Sequence, residues 1–210
     1  VHIGSQILDY KPYLKMLKTL EKIIRKTNYN FEYVDLGGGM GIKYDNNNRS
    51  LNYSIYKKEI IKFKNRNNCK IIFEPGRSII GSAGILVTRI EYIKNAGGKK
   101  FAIIDAGMND LIRPSLYEAW HEVKELENRE ISSDTYDLAG PVCETGDILA
   151  KGRNLKILPN DFVAFMDVGA YGSVMSSNYN SRLKPMELLV TGNEIEVIRS
   201  CLLYTSDAAD

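Results

Sequence analysis

Residues 1–80 alternate short apolar runs with amphipathic stretches, and the apolar runs end on glycine-bearing turns. Residues 31–36 read as a strand that enters Gly37-Gly38-Gly39-Met40-Gly41 directly. Residues 70–73 read as a buried strand closed by Glu74-Pro75-Gly76-Arg77. Ahead of them, VHIGSQ at residues 1–6 reads as a strand end running into a Gly-Ser turn. Residues 9–26 place Leu14, Leu17, Leu20, Ile23 and Ile24 on one helical face, with Pro12 near the start, where proline is tolerated. Residues 53–64 form a second predicted helix, with Ile55, Ile60, Ile61 and Phe63 as its buried side. Strand, helix, strand, helix, strand with short connections is the pattern of parallel βα units.

Beyond residue 80 the texture changes. Residues 85–93, 99–105, 137–139, 161–166 and 188–198 are strand candidates separated by Gly, Pro and Asn turns, not by helices. The expected organisation is therefore α/β over residues 1–80 and an antiparallel β domain over 81–200. Residues 201–210, CLLYTSDAAD, continue no pattern and read as a frayed tail or, preferably, foreign sequence, so Cys201 is left out of the chemistry. The chain opens without methionine on an apparent strand end, which leads us to expect a start further upstream.

Composition excludes several classes. Twenty-eight basic and 26 acidic residues give a net charge of +2, too balanced to favour nucleic acid or an anionic membrane. No apolar run approaches the roughly 18 residues of a membrane span. Three widely spaced cysteines, with no C-x-x-C pair, argue against a disulfide framework or a structural zinc and fit a reducing, cytoplasmic setting. No cluster has metal-ligand spacing.

The chemistry-bearing stretches are few. Gly140-Pro141 precedes Cys143-Glu144-Thr145-Gly146-Asp147, which puts a thiol and two carboxylates on one turn. Cys143 is the candidate for proton chemistry, against the plainer reading of a half-buried thiol in a loop. Gly37, Gly38 and Gly39 can expose backbone N–H groups to an anion with no Cβ in the way, or simply make a tight turn. Glu74 and Arg77 sit at a strand C-terminus, where α/β folds bind ligands, or form a surface salt bridge. His2 can stack on a flat ring, with Ser5 offering a hydroxyl; a lone histidine is more often structural. Arg113 can fork onto a carboxylate with Tyr117 beside it, in a loop rich in polar groups. Tyr171, between small residues, can approach a ligand closely or be a core tyrosine.

Six strings, HIGSQ, DLGGGMG, EPGR, DAGMNDLIRPSLY, GPVCETGD and AYGSVMSSNYNSRLKP, occur in the order in which the diaminopimelate decarboxylase family carries them. The chain resembles that family, which is part of the alanine-racemase-like, fold-type III enzymes using pyridoxal 5′-phosphate. The resemblance covers residues 2 to about 185. It implies the C-terminal part of a (β/α)8 barrel followed by an antiparallel β domain. It also implies decarboxylation of meso-2,6-diaminopimelate to L-lysine and carbon dioxide, the last step of lysine biosynthesis.

Residue by residue, it implies that His2 stacks on the cofactor ring and that Ser5 and Gly37–Gly39 lie at the phosphate. Glu74 would pair with the ring nitrogen, in a turn completed by Pro75, Gly76 and Arg77. Arg77 would also reach the substrate. Arg113 and Tyr117 would hold the distal carboxylate, Glu144 the distal ammonium, Cys143 would return the proton, and Tyr171 would touch both phosphate and substrate. It further implies a homodimer with shared active sites. The family's cofactor-bearing lysine would lie upstream of Val1, so none of the lysines here is given that role, and the 210-residue chain alone is expected to be inactive and unstable. Thr145 and Leu183 depart from the family's usual serine and proline. Two other readings are a sister decarboxylase acting on ornithine, arginine or carboxynorspermidine, and a non-catalytic homologue that regulates a partner.

Overall fold

A computed structural model describes residues 1–45 and 49–201. It divides into two compact units, Val1–Ala83 and Gly84–Asp210. The asparagine-rich loop falls partly, and the tail almost wholly, outside the described residues.

The first unit holds α1 (Lys11–Thr27), β1 (Tyr33–Asp35), α2 (Tyr53–Asn67), β2 (Lys70–Ile72) and the short α3 (Arg77–Ile80). Proline in the first turn starts α1, and Asn28 in the left-handed region ends it. Its buried stripe is Tyr13, Met16, Leu17 and Leu20, while Ile23 faces solvent. Helix α2 starts where the Asn52 side chain accepts from Ile55 N at 3.1 Å. It buries Tyr56 and Phe63; Ile61, expected inside, is exposed. The Tyr13 and Tyr56 rings pack with centroids 4.5 Å apart, at the centre of a core completed by Leu36, Leu51 and Cys69. Strands β1 and β2 pair in parallel, as the alternation predicts. VHIGSQ forms no strand; Ile7, the residue after it, makes an isolated parallel bridge to Met40. No helix follows the glycine turn until Tyr53. Among the described residues no barrel closes, and the parallel β structure of this unit is the β1–β2 pair and the Ile7–Met40 bridge.

The second unit holds β3 (Leu86–Ala96), β4 (Lys99–Ile104), α4 (Arg113–Tyr117), β5 (Val123–Glu125), β6 (Asp134–Ala139), β7 (Ile148–Leu155), β8 (Phe162–Phe165), β9 (Glu187–Thr191) and β10 (Glu194–Arg199). Six strands form one sheet in the order β5-β8-β3-β4-β6-β7. Gly97 and Gly98, both at positive φ, make the two-residue turn between β3 and β4. The expectation of a purely antiparallel domain needs correction, because β4 and β6 run parallel. Parallel neighbours cannot be joined by a hairpin. The connection is residues 105–133, which carry α4 and β5, a helix and a strand the sequence pattern did not indicate. The sheet curls until its edge strands approach: Lys156 N, just past β7, donates to Glu125 Oε1 of β5 at 2.6 Å. Its inner face packs Ile90, Ile104, Leu111, Leu138, Leu149, Val163 and Phe165. The run at 188–198 is not one strand but a separate two-stranded hairpin, β9–β10.

Candidate functional site

In the first unit three stretches far apart in sequence meet at the end of β1. The N-terminal amine of Val1 donates to Asp35 O at 2.8 Å, laying VHIGS alongside the glycine turn. Glu74 N donates to Gly37 O at 2.9 Å, and Ile7 N to Gly39 O at 2.9 Å. A Cβ on Gly37 would stand 2.3 Å from Val1 O and 3.2 Å from the His2 ring nitrogen Nδ1. On Gly38 it would stand 2.1 Å from Glu74 O, and on Gly39 2.1 Å from Gly4 O. Backbone packing against backbone therefore demands these three glycines, a stronger reason than room for an anion. Arg77 donates through Nη1 to the Tyr44 hydroxyl at 2.6 Å and through Nη2 to Ser5 Oγ at 3.2 Å. His2, Ser5, Glu74 and Gly76 are exposed, with Pro75 and Arg77 half-buried.

In the second unit the loop carrying Cys143 and Glu144 is built around one carboxylate. Asp147 is 2% exposed and accepts from Val142 N and Met108 N, each at 2.6 Å. Burial raises its pKa, and the two backbone donors oppose that shift. Asp147 also fills the space in front of Gly140, where a Cβ would lie 2.4 Å from its Oδ2. Further turns, Glu144 N to Val142 O and Asp147 N to Glu144 O, fold the loop on itself, and Ser115 Oγ of α4 donates to Gly146 O at 2.5 Å. Cys143 and Glu144 stand exposed at the tip of this braced loop. Tyr179 donates its hydroxyl to Glu144 Oε1. That bond, followed by the charge of Glu144 and a smaller contribution from Cys143, holds the Tyr179 phenol above its usual pKa.

Arg113 opens α4 and is 6% exposed, whereas Tyr117, one turn on, is 62% exposed. The Arg113 guanidinium meets His121 Nε2 at 2.8 Å, and His121 Nδ1 meets Met166 O at 2.8 Å. Tyr171 is exposed, not a core tyrosine, and is held at φ 64°. A bulky residue in the left-handed region is a strained placement that surrounding structure has to enforce.

A model of the pyridoxal-dependent decarboxylase C-terminal sheet domain matches residues 10–169. The chain belongs to the pyridoxal-dependent decarboxylase family. Over 201 residues it is 43% identical to the diaminopimelate decarboxylase of Pseudomonas aeruginosa, covering 94% of this chain and 48% of that one. With the diaminopimelate decarboxylase of Aquifex aeolicus it shares 42% identity over 205 residues, again 94% of this chain and 48% of the other. Among solved structures it is similar to diaminopimelate decarboxylase from Helicobacter pylori complexed with L-lysine, with a TM-score of 0.87 and 40% identity, covering 96% of this chain and 50% of that one. The enzyme from M. jannaschii gives a TM-score of 0.89 at 32% identity, covering 95% of this chain and 48% of that one. The chain spans about half the length of the curated relatives it matches.

The residues present fit the cofactor of this decarboxylase family. A guanidinium beside a hydroxyl suits a phosphate, an exposed carboxylate at a strand end suits a protonated ring nitrogen, and an imidazole at the same turn suits a ring face. The backbone beside these groups is open: an added Cβ at Gly4 or Gly76 would meet nothing within 4 Å. Sequence reasoning gave no role to Asp147, Tyr179, Ser115 or His121, each of which has at least one partner remote in sequence. A partial signal existed for Asp147, an acid seven residues past a Gly-Pro turn's glycine, and for His121, one of only two histidines in the chain.

Proposed function

We propose that this chain contributes to an enzyme that decarboxylates meso-2,6-diaminopimelate to L-lysine and carbon dioxide, and that residues 1–83 supply the final βα units of its cofactor-binding barrel. The parallel β1–β2 pair, with α1 and α2 packed on it, supports the second part of this reading. The observation that carries the first is the Cys143–Glu144 tip: a thiol and a carboxylate exposed side by side on a loop that Asp147 makes rigid, with Ser115 tying it to the helix that bears Arg113 and Tyr117.

Pyridoxal phosphate, when bound, supplies the electron sink that lets a carboxyl group leave an α-carbon. The residues here do the rest. Arg77 and Ser5 bind the phosphate, Glu74 keeps the ring nitrogen protonated, and His2 covers the ring. Arg113 and Tyr117 orient the substrate through its distal carboxylate, and Glu144 accepts its distal ammonium. Cys143 Sγ delivers a proton to the α-carbon. Tyr171 closes on phosphate and substrate. The enzyme works as a homodimer in the cytoplasm, the exposed Cys143 loop of one protomer completing the other's site. Arginine suits the distal carboxylate because its planar fork matches two oxygens, and a substrate lacking that group gives the fork nothing to match.

The test uses a chain of the relatives' length carrying these residues, supplied with pyridoxal phosphate. It is expected to release carbon dioxide and L-lysine from diaminopimelate. Arg113→Ala should raise KM at least about tenfold, since a hydrogen bond to a charged group contributes roughly 1.5–3 kcal/mol, while cofactor absorbance is retained. Turnover of ornithine or arginine in preference to diaminopimelate would overturn the reading.

A further inference from the structure

Arg113 is deeply buried for a residue meant to hold a substrate carboxylate. A long, flexible cation in such a position needs something to fix its direction, and a buried histidine touches it. His121 is wholly buried, eight residues along the chain, with its ring bridging Arg113 Nη1 and the Met166 carbonyl at 2.8 Å on each side.

The chemistry of the two neighbours settles the tautomer. A guanidinium can only donate, so Nε2 must carry the lone pair; a carbonyl can only accept, so Nδ1 must carry the hydrogen. The ring is thus neutral, with each nitrogen in a different job: Nδ1–H anchors the imidazole to the segment after β8, and Nε2 accepts from Arg113. The backbone is pinned as well, because Arg153 Nη2 donates to His121 O at 2.9 Å, and the Arg153 guanidinium lies over the Trp120 ring. The charged groups facing the ring are Arg113, Arg153 and Asp167, and burial with the two arginines favours the neutral form.

We infer that His121 is a positioning residue for Arg113, a neutral acceptor that aims its guanidinium at the distal carboxylate of the substrate. This rests on the reading of Arg113 given above. It extends that reading by assigning specificity to a side chain that acts through Arg113. A carboxylate in the same place would form an ion pair with Arg113 and compete with the substrate's own carboxylate. A neutral imidazole orients the cation without itself adding a negative charge beside it.

The two roles of the ring can be separated by substitution in a chain of the relatives' length, assayed as the holoenzyme. His121→Asn retains a donor near Nδ1 for Met166 O and removes the acceptor for Arg113. His121→Gln can place its amide oxygen near Nε2, keeping the acceptor and giving up the anchor. Losing uniform binding raises KM and leaves kcat nearly unchanged. The expected result is a KM for diaminopimelate raised about tenfold in His121→Asn, on the scale of one charge-assisted hydrogen bond. In that variant kcat should stay within about threefold and the cofactor absorbance should be unaltered. His121→Gln should recover most of the loss in KM, even if its melting temperature is lower. If His121→Asn has a normal KM, or if both variants are impaired alike, the inference is overturned while Arg113→Ala remains impaired. If Arg113→Ala itself has a normal KM, the carboxylate reading fails, and the inference falls with it.

Discussion

An alanine at position 38 would put its Cβ 2.1 Å from Glu74 O, a backbone atom of a residue tied to the glycine turn by the bond from Glu74 N to Gly37 O. Overpacking of this kind destabilises by about 1–3 kcal/mol or more. Gly38→Ala should therefore lower the melting temperature and, by pushing the Glu74 turn away from β1, weaken cofactor binding; calorimetry and an absorbance titration measure both. His121 makes a different prediction. Burial first, then Arg113 and Arg153, push its pKa down from 6.5 to about 4, against the opposing pull of Met166 O and Asp167. Below pH 6.5 the unfolded chain takes up a proton that the folded chain refuses until about pH 4. The unfolded state then binds more protons, so stability falls as pH falls through that window, by about 3 kcal/mol in total. Urea midpoints between pH 7 and 4 should show the slope, and His121→Asn should flatten it.

The loop of residues 140–148 is the element on which the proposed chemistry depends, and Asp147 is its centre. Asp147→Ala strips acceptors from Val142 N and Met108 N and leaves a hole in front of Gly140. Each buried N–H left without a partner costs about 1–3 kcal/mol. The variant should lose most of its turnover, because Cys143 and Glu144 are no longer held, while absorbance from bound cofactor persists. Equal turnover with and without the Asp147 carboxylate would show that the loop is held by other means.

This loop also shows what the sequence could convey. The thiol–carboxylate pair was legible because it is a local arrangement of residue types. The acid that fixes its shape was not, since its partner Met108 lies on a different loop. The same divide runs through the fold. Helices α1 and α2 announce themselves by spacing, although Ile23 and Ile61 lie on the exposed side of a stripe that periodicity locates only to within a residue or so. Strand β5 has three residues and no alternation, and β7 is broken by Gly152 at φ 62° and by two charges. Only pairing with neighbours makes either a strand.

On the scale of the molecule, both units expose apolar side chains beyond what a lone soluble chain usually shows. Ile61, Ile72, Phe73, Ile79 and Ile80 do so in the first, and Val190, Ile195, Val197 and Ile198 of the β9–β10 hairpin in the second. A two-stranded hairpin is only marginally stable by itself. The 210-residue chain produced alone should bind a hydrophobic dye such as ANS and sediment as aggregates, and should stay colourless with added pyridoxal phosphate. A chain of the relatives' length should do none of these. A clear, monodisperse, dye-silent preparation of the short chain would contradict the prediction.

The parallel pairing of β4 with β6 has a further outcome. To re-enter the sheet pointing the same way, the polypeptide has to travel back from one end of the ladder to the other, and residues 105–133 are that detour. Arg113, Tyr117 and His121 all ride on it, outside the hydrogen-bonded framework. If Arg113 and Tyr117 grip the substrate as proposed, mutations there retune what is recognised while the strand pairing of the ladder stays as it was.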